Sequence, residues 1–206
     1  MAKAALIANR RRTFDLMSSA ISGEALPAYA RCHRALVGAR LKDHVMVDTQ
    51  LRQLLEQGYV STTLRCSRDP YAAPVPDAQG GIPTIIMEML AYARPGVIEV
   101  LPALPPSLVK GTIRGMQLHT FATLDHLAWD MNARTVDLTV TSRKRQAVTL
   151  MARHGIETIT APSGVLAAAH QPGSATCQLQ LAQGQPVEMH LKLGRRNPLE
   201  WVHWVA

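Results

Sequence analysis

Apolar and polar positions follow two different rhythms along the 206 residues. Up to about Ala93 apolar side chains recur every three or four residues, as on one face of a helix. After Pro95 they alternate with polar ones, as in half-buried strands. The first rhythm predicts a helix from Ala2 to about Ser22 and a second over PAYARCHRALVGARL, with Pro27 in its first turn. A third covers KDHVMVDTQLRQLLEQG, where Val47, Leu51, Leu54 and Leu55 share a face and Gly58 is a natural stop. Pro70, Pro74 and Pro76 break the stretch YVSTTLRCSRDPYAAPVPDAQGG into a loop. A fourth helix is expected from about Ile82 to Ala93, with Pro83 in its first turn and Met87, Met89 and Leu90 in the core.

The second rhythm predicts seven or so strands. GVIEVLPALP, GTIRGMQLHTF, LDHLAWD, RTVDLTVTS, QAVTLMA, ATCQLQLA and PVEMHLKLG are separated by turns at MNAR, SRKR and AQGQ and by an excursion over Ala161–Ala175. Strands at short spacing without intervening helices suggest an antiparallel β-sandwich. The expected organisation is therefore a helical-hairpin portion over 1–94 and a β domain over 95–206.

Composition narrows the chemistry. The net charge of +7 permits acidic partners, but the basic residues are scattered and only 4% of the chain is aromatic, which argues against a nucleic-acid platform. Cys32, Cys66 and Cys177 are far apart, with no CxxC pair and no histidine at zinc spacing, so no metal or cofactor is expected. The remaining histidines, among them His126, His170 and His190, are scattered through the β part without ligand spacing. Arg10–Arg12 follow a short apolar stretch, the reverse of a signal peptide, and no apolar run is long enough for a membrane span. The reading is a cytoplasmic chain with buried thiols.

One stretch carries more. DAQGGIPTIIMEMLAYARPGVIEVLPALPPSLVKGTIRGM places a carboxylate, Asp77, just ahead of the most apolar helical run, with EML and LPALP following. It resembles, without a gap, the C-terminal pattern of glycoside hydrolase family 95, the inverting α-L-fucosidases and their relatives. Asp77 falls on that pattern's aspartate, Glu88-Met89-Leu90 on its EML, Leu101–Pro105 on its LPALP and Gly111 and Gly115 on its two glycines. ARLKD at Ala39–Asp43 resembles the family's ARLGD at a helix junction, and the likeness covers about residues 28–142. The departures are Ala78-Gln79 for the family's Gly-Asn, APVP for its aromatic-Gln stretch and Leu108 for its tryptophan.

The resemblance implies an α+β multidomain fold: C-terminal hairpins of an (α/α)6-type helical barrel, then the sandwich. It also implies hydrolysis of α-L-fucosides or related α-L-galactosides, with Asp77 as general base. Inversion needs two carboxyl groups roughly 6.5–9.5 Å apart, one protonated and one activating water. The family's acidic glutamate lies on helices upstream of the likeness, so the chain alone is expected to be inactive. The partial positive charge at a helix start favours an ionised carboxylate, which suits Asp77 to the base role; without the likeness, a turn or capping role is the better reading. Gln79 could position water, Tyr71 could stack on a sugar, and His33 and Arg34 could reach sugar hydroxyls. Glu88 reads as a structural carboxylate paired with an arginine. The alternative is a non-catalytic remnant that binds carbohydrate or a partner chain. Helices cut from a barrel would expose Leu6, Ile7, Leu36, Val37, Leu51 and Leu54, which predicts self-association or pairing with the missing part.

Overall fold

The computed structural model describes residues 26–57, 59–60 and 76–195, which fall into two compact units meeting in sequence between Met89 and Leu90. The expected first helix, Tyr71, Cys66 and the Trp201–Trp204 tail lie outside the described residues.

The first unit holds three helices: α1 (Ala28–Leu41), α2 (His44–Glu56) and α3 (Pro76–Leu90), the last of which ends one residue inside the second unit. ARLKD is indeed a helix junction. Lys42 takes a left-handed conformation (φ 64°) that ends α1, with Asp43 N–H donating to the Gly38 carbonyl at 2.8 Å. Asp43 then starts α2, its carboxylate accepting from Met46 N–H at 3.0 Å. The buried positions of α1 are Ala28, Arg31, Cys32, Ala35, Gly38 and Ala39, a stripe at helical spacing made mostly of small side chains. On α2, Val47, Leu51 and Leu54 are buried as expected, but Leu55 is exposed.

Helix α3 begins six residues earlier than expected. Pro76 fits a first helical position, and the helix runs through Gly80-Gly81. A Cβ on Gly81 would lie 3.0 Å from both Cβ and Sγ of Cys32, so the missing side chain lets α1 and α3 approach closely. Pro83 is consequently interior, and the Gln79 carbonyl loses its usual N–H partner there. Met89 and Leu90 are buried, whereas Met87 is 40% exposed. Residues 91–93, expected as the end of this helix, belong instead to a strand, Ala91–Arg94.

The second unit is one hydrogen-bonded sheet of eight strands, β1 (Ala91–Arg94), β2 (Val97–Val100), β3 (Lys110–Leu118), β4 (Ala122–Asp130), β5 (Thr135–Ser142), β6 (Gln146–Thr160), β7 (Ser174–Leu181) and β8 (Pro186–Leu193). The order is β1-β2-β6-β8-β5-β4-β3, with β7 also on β6, and the end strands β1 and β3 come into contact, so the sheet nearly closes like a barrel. The expected two-layer antiparallel sandwich is corrected in two ways. β2 and β6 run parallel, which the long connection between them permits. The 15-residue β6 also belongs to both halves: Gln146–Met151 pair with β7, and Ile156–Thr160 with β8. Gly155, at φ 75°, lies at the change, where a Cβ would stand 2.9 Å from the Gly173 carbonyl; a strand bent at such a point carries one sheet around a corner. Inward positions are apolar and fully buried, among them Leu124, Leu127, Val136, Leu138, Leu150, Ile156 and Leu191. The segment after β6 does make an excursion. Val165 and Ala167 hydrogen-bond along the outer edge of β7, covering it.

Three helices do not establish a helical barrel. What stands is a mostly β chain with three helices among the described residues.

Candidate functional site

Asp77 lies in the first turn of α3 and is exposed, not in a loop as the prolines suggested. Gln79 is exposed two residues on, and Ala78 between them is fully buried. The buried thiol of Cys32 on α1 donates to the Ala78 carbonyl at 3.8 Å. His33, exposed, and Arg34, half-buried, follow Cys32 directly. The contact that joins these segments is the one between Cys32 and Ala78; Asp77 and Gln79 flank Ala78 on α3, and His33 and Arg34 follow Cys32 on α1. Tyr71 lies outside the described residues.

Glu88 is the structural carboxylate the sequence suggested. It is 9% exposed and forms a 2.6 Å ion pair with Arg40. Eleven residues of helical rise separate it from Asp77 by about 16 Å along the axis, too far for an inverting pair. Arg31 is likewise engaged: its guanidinium donates to Gln53 and stacks 5.1 Å from the Tyr59 ring, whose hydroxyl donates to the Leu26 carbonyl at 2.8 Å. This unit thus offers an exposed carboxylate in the first turn of a helix. The described residues place no acid opposite it.

A second concentration of polar chemistry was not foreseen. The outward face of β4, β5 and β8 forms an open groove of about 590 Å³ lined by His126, Asp137, Thr139, Thr160, Glu188 and His190, with Pro162 at its rim. Strand register builds it. Asp137 faces His190 across β5 and β8, Thr139 faces Glu188, and Thr160 of β6 faces His190 from the other side. The His190 Nδ1 bonds the Asp137 carboxylate, and His126 Nε2 lies 3.2 Å from the Thr112 hydroxyl. Further along the same face Lys110 pairs with Asp130 at 2.7 Å and holds that carboxyl below the usual range.

His126, Asp137, Thr139, Glu188 and His190 sit at outward positions of strands that the alternation predicts, and that alternation was the available signal; Thr160 lies in the part of β6 beyond the expected segment. What the sequence hid was that β8 pairs with β5, which brings His190 beside Asp137. Elsewhere in the unit, Arg153 lies 3.4 Å from Glu99. Burial lowers its pKa, and the carboxylate opposes that shift. Among the described residues no group of three His, Cys, Asp or Glu side chains is placed to hold a metal ion, and no helix is long and apolar enough to cross a membrane.

No family model matches the chain, and no curated protein does. Among solved structures it is weakly similar to a GH127 β-L-arabinofuranosidase from Geobacillus stearothermophilus T6, at 18% identity and a TM-score of 0.33 over 62% of this chain. The chain spans only 20% of that protein's length. That protein is a glycoside hydrolase; a likeness at this level settles neither fold nor activity for the present chain.

Proposed function

We propose that the chain is the C-terminal part of a glycoside hydrolase related to family 95, and that Asp77 is the general base of the complete site. The observation that carries this is the gapless register of Asp77, Glu88-Met89-Leu90 and Leu101–Pro105 with that family's pattern. The position of Asp77 supports it: an exposed carboxylate in a helical first turn is open to the water that a general base must activate. The substrate in this reading is an α-L-fucoside or a related α-L-galactoside. Gln79, His33, Arg34 and Tyr71 contact sugar or water. The chain alone is inactive, because a base without its acid lacks half of the inverting machinery. Pairing with the rest of the barrel, or self-association, belongs to the same proposal.

The test has two arms. The purified chain should not turn over aryl α-L-fucosides; turnover abolished by Asp77→Asn would place an acid within these residues and overturn the inactive-part reading. Grafting Asp77–Gly115 in place of the matching segment of an active family-95 enzyme should retain hydrolysis. Asp77→Asn in the graft should then lower kcat by about a hundredfold or more. A graft indifferent to that substitution removes Asp77 from the mechanism.

A second reading, a non-catalytic carbohydrate- or partner-binding remnant, is favoured by Ala78. Its full burial against Cys32 stands where the family has a glycine, so the segment serves packing as well.

A further inference from the structure

We infer that the groove on the outward face of β4, β5 and β8 is a binding site for a neutral, polyhydroxylated ligand, a short stretch of oligosaccharide. It uses the second unit alone and stands whether or not the hydrolase reading does.

Size comes first. About 590 Å³ lies inside the roughly 300–1,000 Å³ usual for small-molecule sites. The inventory of hydrogen-bonding groups comes next. Each sugar hydroxyl both donates and accepts, so a site for it needs acceptors and donors side by side. Here they alternate across the strands: Thr139 beside Glu188 in one row, and Asp137, His190 and Thr160 in the next. Glu188 has no hydrogen bond or ion pair among the described residues, so both of its oxygens can accept from an adjacent pair of hydroxyls. Asp137 binds His190 through Nδ1, which fixes the ring and leaves Nε2 for a ligand. His126, held through Nε2 by Thr112, likewise keeps Nδ1.

Charge separates a sugar from an ion. Asp137 and Glu188 are flanked on the same sheet face by Arg114, opposite His126, and by Lys192, opposite Thr135. The face is thus balanced in sign, which leaves little net field to select a cation or an anion. Pro162 gives an apolar rim for the C–H face of a ring. The groove is open to water and has no aromatic wall, so the affinity should be modest, about millimolar.

The experiment is a nuclear magnetic resonance titration of the full chain, following the His126 and His190 imidazole signals. The probes are cellotriose, xylotriose and mannotriose, with spermidine as the cationic control. At least one trisaccharide should shift both imidazoles saturably. Glu188→Gln and Asp137→Asn, each checked by circular dichroism for an intact fold, should raise its Kd about tenfold. Three results overturn the inference. No trisaccharide shifts the imidazoles at tens of millimolar while the protein stays folded. Spermidine shifts them and the sugars do not. Or sugar binding is untouched by both groove substitutions, including the case where Asp77→Asn abolishes it, which would put the sugar on the helical unit and speak for the hydrolase site instead.

Discussion

Among the three helices, α1 buries mostly small side chains, Ala28, Cys32, Ala35, Gly38 and Ala39, while α2 and α3 bury Val47, Leu51, Leu54 and Ile85, and the polar Arg31, Gln50 and Glu88 are buried among them. Where the strands of the second unit meet, the buried side chains are almost all branched and apolar, led by Leu124, Leu127, Leu138, Val140, Leu150, Ile156, Leu179 and Leu191. Both are interiors, yet they are stabilised differently. The helices gain from the apolar side chains of α2 and α3, and in addition from close approach along α1 and a few directed polar contacts. The strands gain from apolar area removed from water. Equal-sized cuts should therefore cost unequal amounts. The β unit should feel lost volume most, and the helical unit lost partners.

The largest effect expected is at Leu138, 1% exposed on β5. Leu138→Ala removes three carbons from a site walled by strands on both sides, and should cost about 2–5 kcal/mol. Urea unfolding followed by circular dichroism measures it. A cost below that of every helical substitution proposed below would erase the contrast between the two interiors.

The two units also differ in how much of them could be read from sequence. All seven expected strand segments hold a strand, β2 to β8, and in most of them outward polar positions alternate regularly, as in Val136, Leu138 and Val140 against Asp137 and Thr139. Their pairing was not legible. Register between β5 and β8 is a contact across 50 residues, and no local pattern states it. Hence the groove histidines, His126 and His190, were read as scattered. In the helical unit the ARLKD junction and the Glu88 ion pair were legible, since capping and a buried carboxylate's need for a partner are local or generic rules. The start of α3 was not. Gly80-Gly81 reads as a loop, and only the close contact with Cys32 explains a helix there. Asp77 was legible as a candidate through the family pattern, though its helical setting was not.

The thiol of Cys177 sharpens the picture of a dry β interior. Burial pushes its pKa up to about 11. A raised folded-state value means the thiol's contribution to stability is complete below the unfolded value, near 9, and is lost as pH climbs through about 11. Stability should therefore drop between about pH 9 and pH 11, and Cys177→Ala should lack that part of the drop. An identical pH profile in the variant would mean that water reaches the sulfur.

Arg40→Met tests the helical side. Glu88 would be left buried with one oxygen robbed of its cation, while its Oε2 already has no hydrogen-bond partner among the described residues. The Arg40 side chain is 56% exposed, so water screens the pair. The cost should fall between an exposed pair and a fully buried one, about 1–2 kcal/mol. Replacing Glu88 by Met as well should recover most of it, because the stranded charge is then gone. No recovery would mean the pair itself, and not the abandoned carboxylate, stabilises the α1–α3 packing.

The smallest effect is at the junction of α1 and α2. Asp43 is the residue through which one helix stops and the next starts, and its side chain satisfies one N–H of the α2 first turn, that of Met46 at 3.0 Å. Asp43→Ala leaves that donor to water and also removes a negative charge from the positive end of the helix. The expected cost is about 1 kcal/mol. Asp43→Asn should regain most of it, because the amide oxygen still accepts. The substitution should leave the Asp137–His190 contact in the groove untouched, visible as an unchanged His190 imidazole signal. A cost well above Leu138→Ala would show that the helix junction, and not the apolar strand core, limits the stability of the chain.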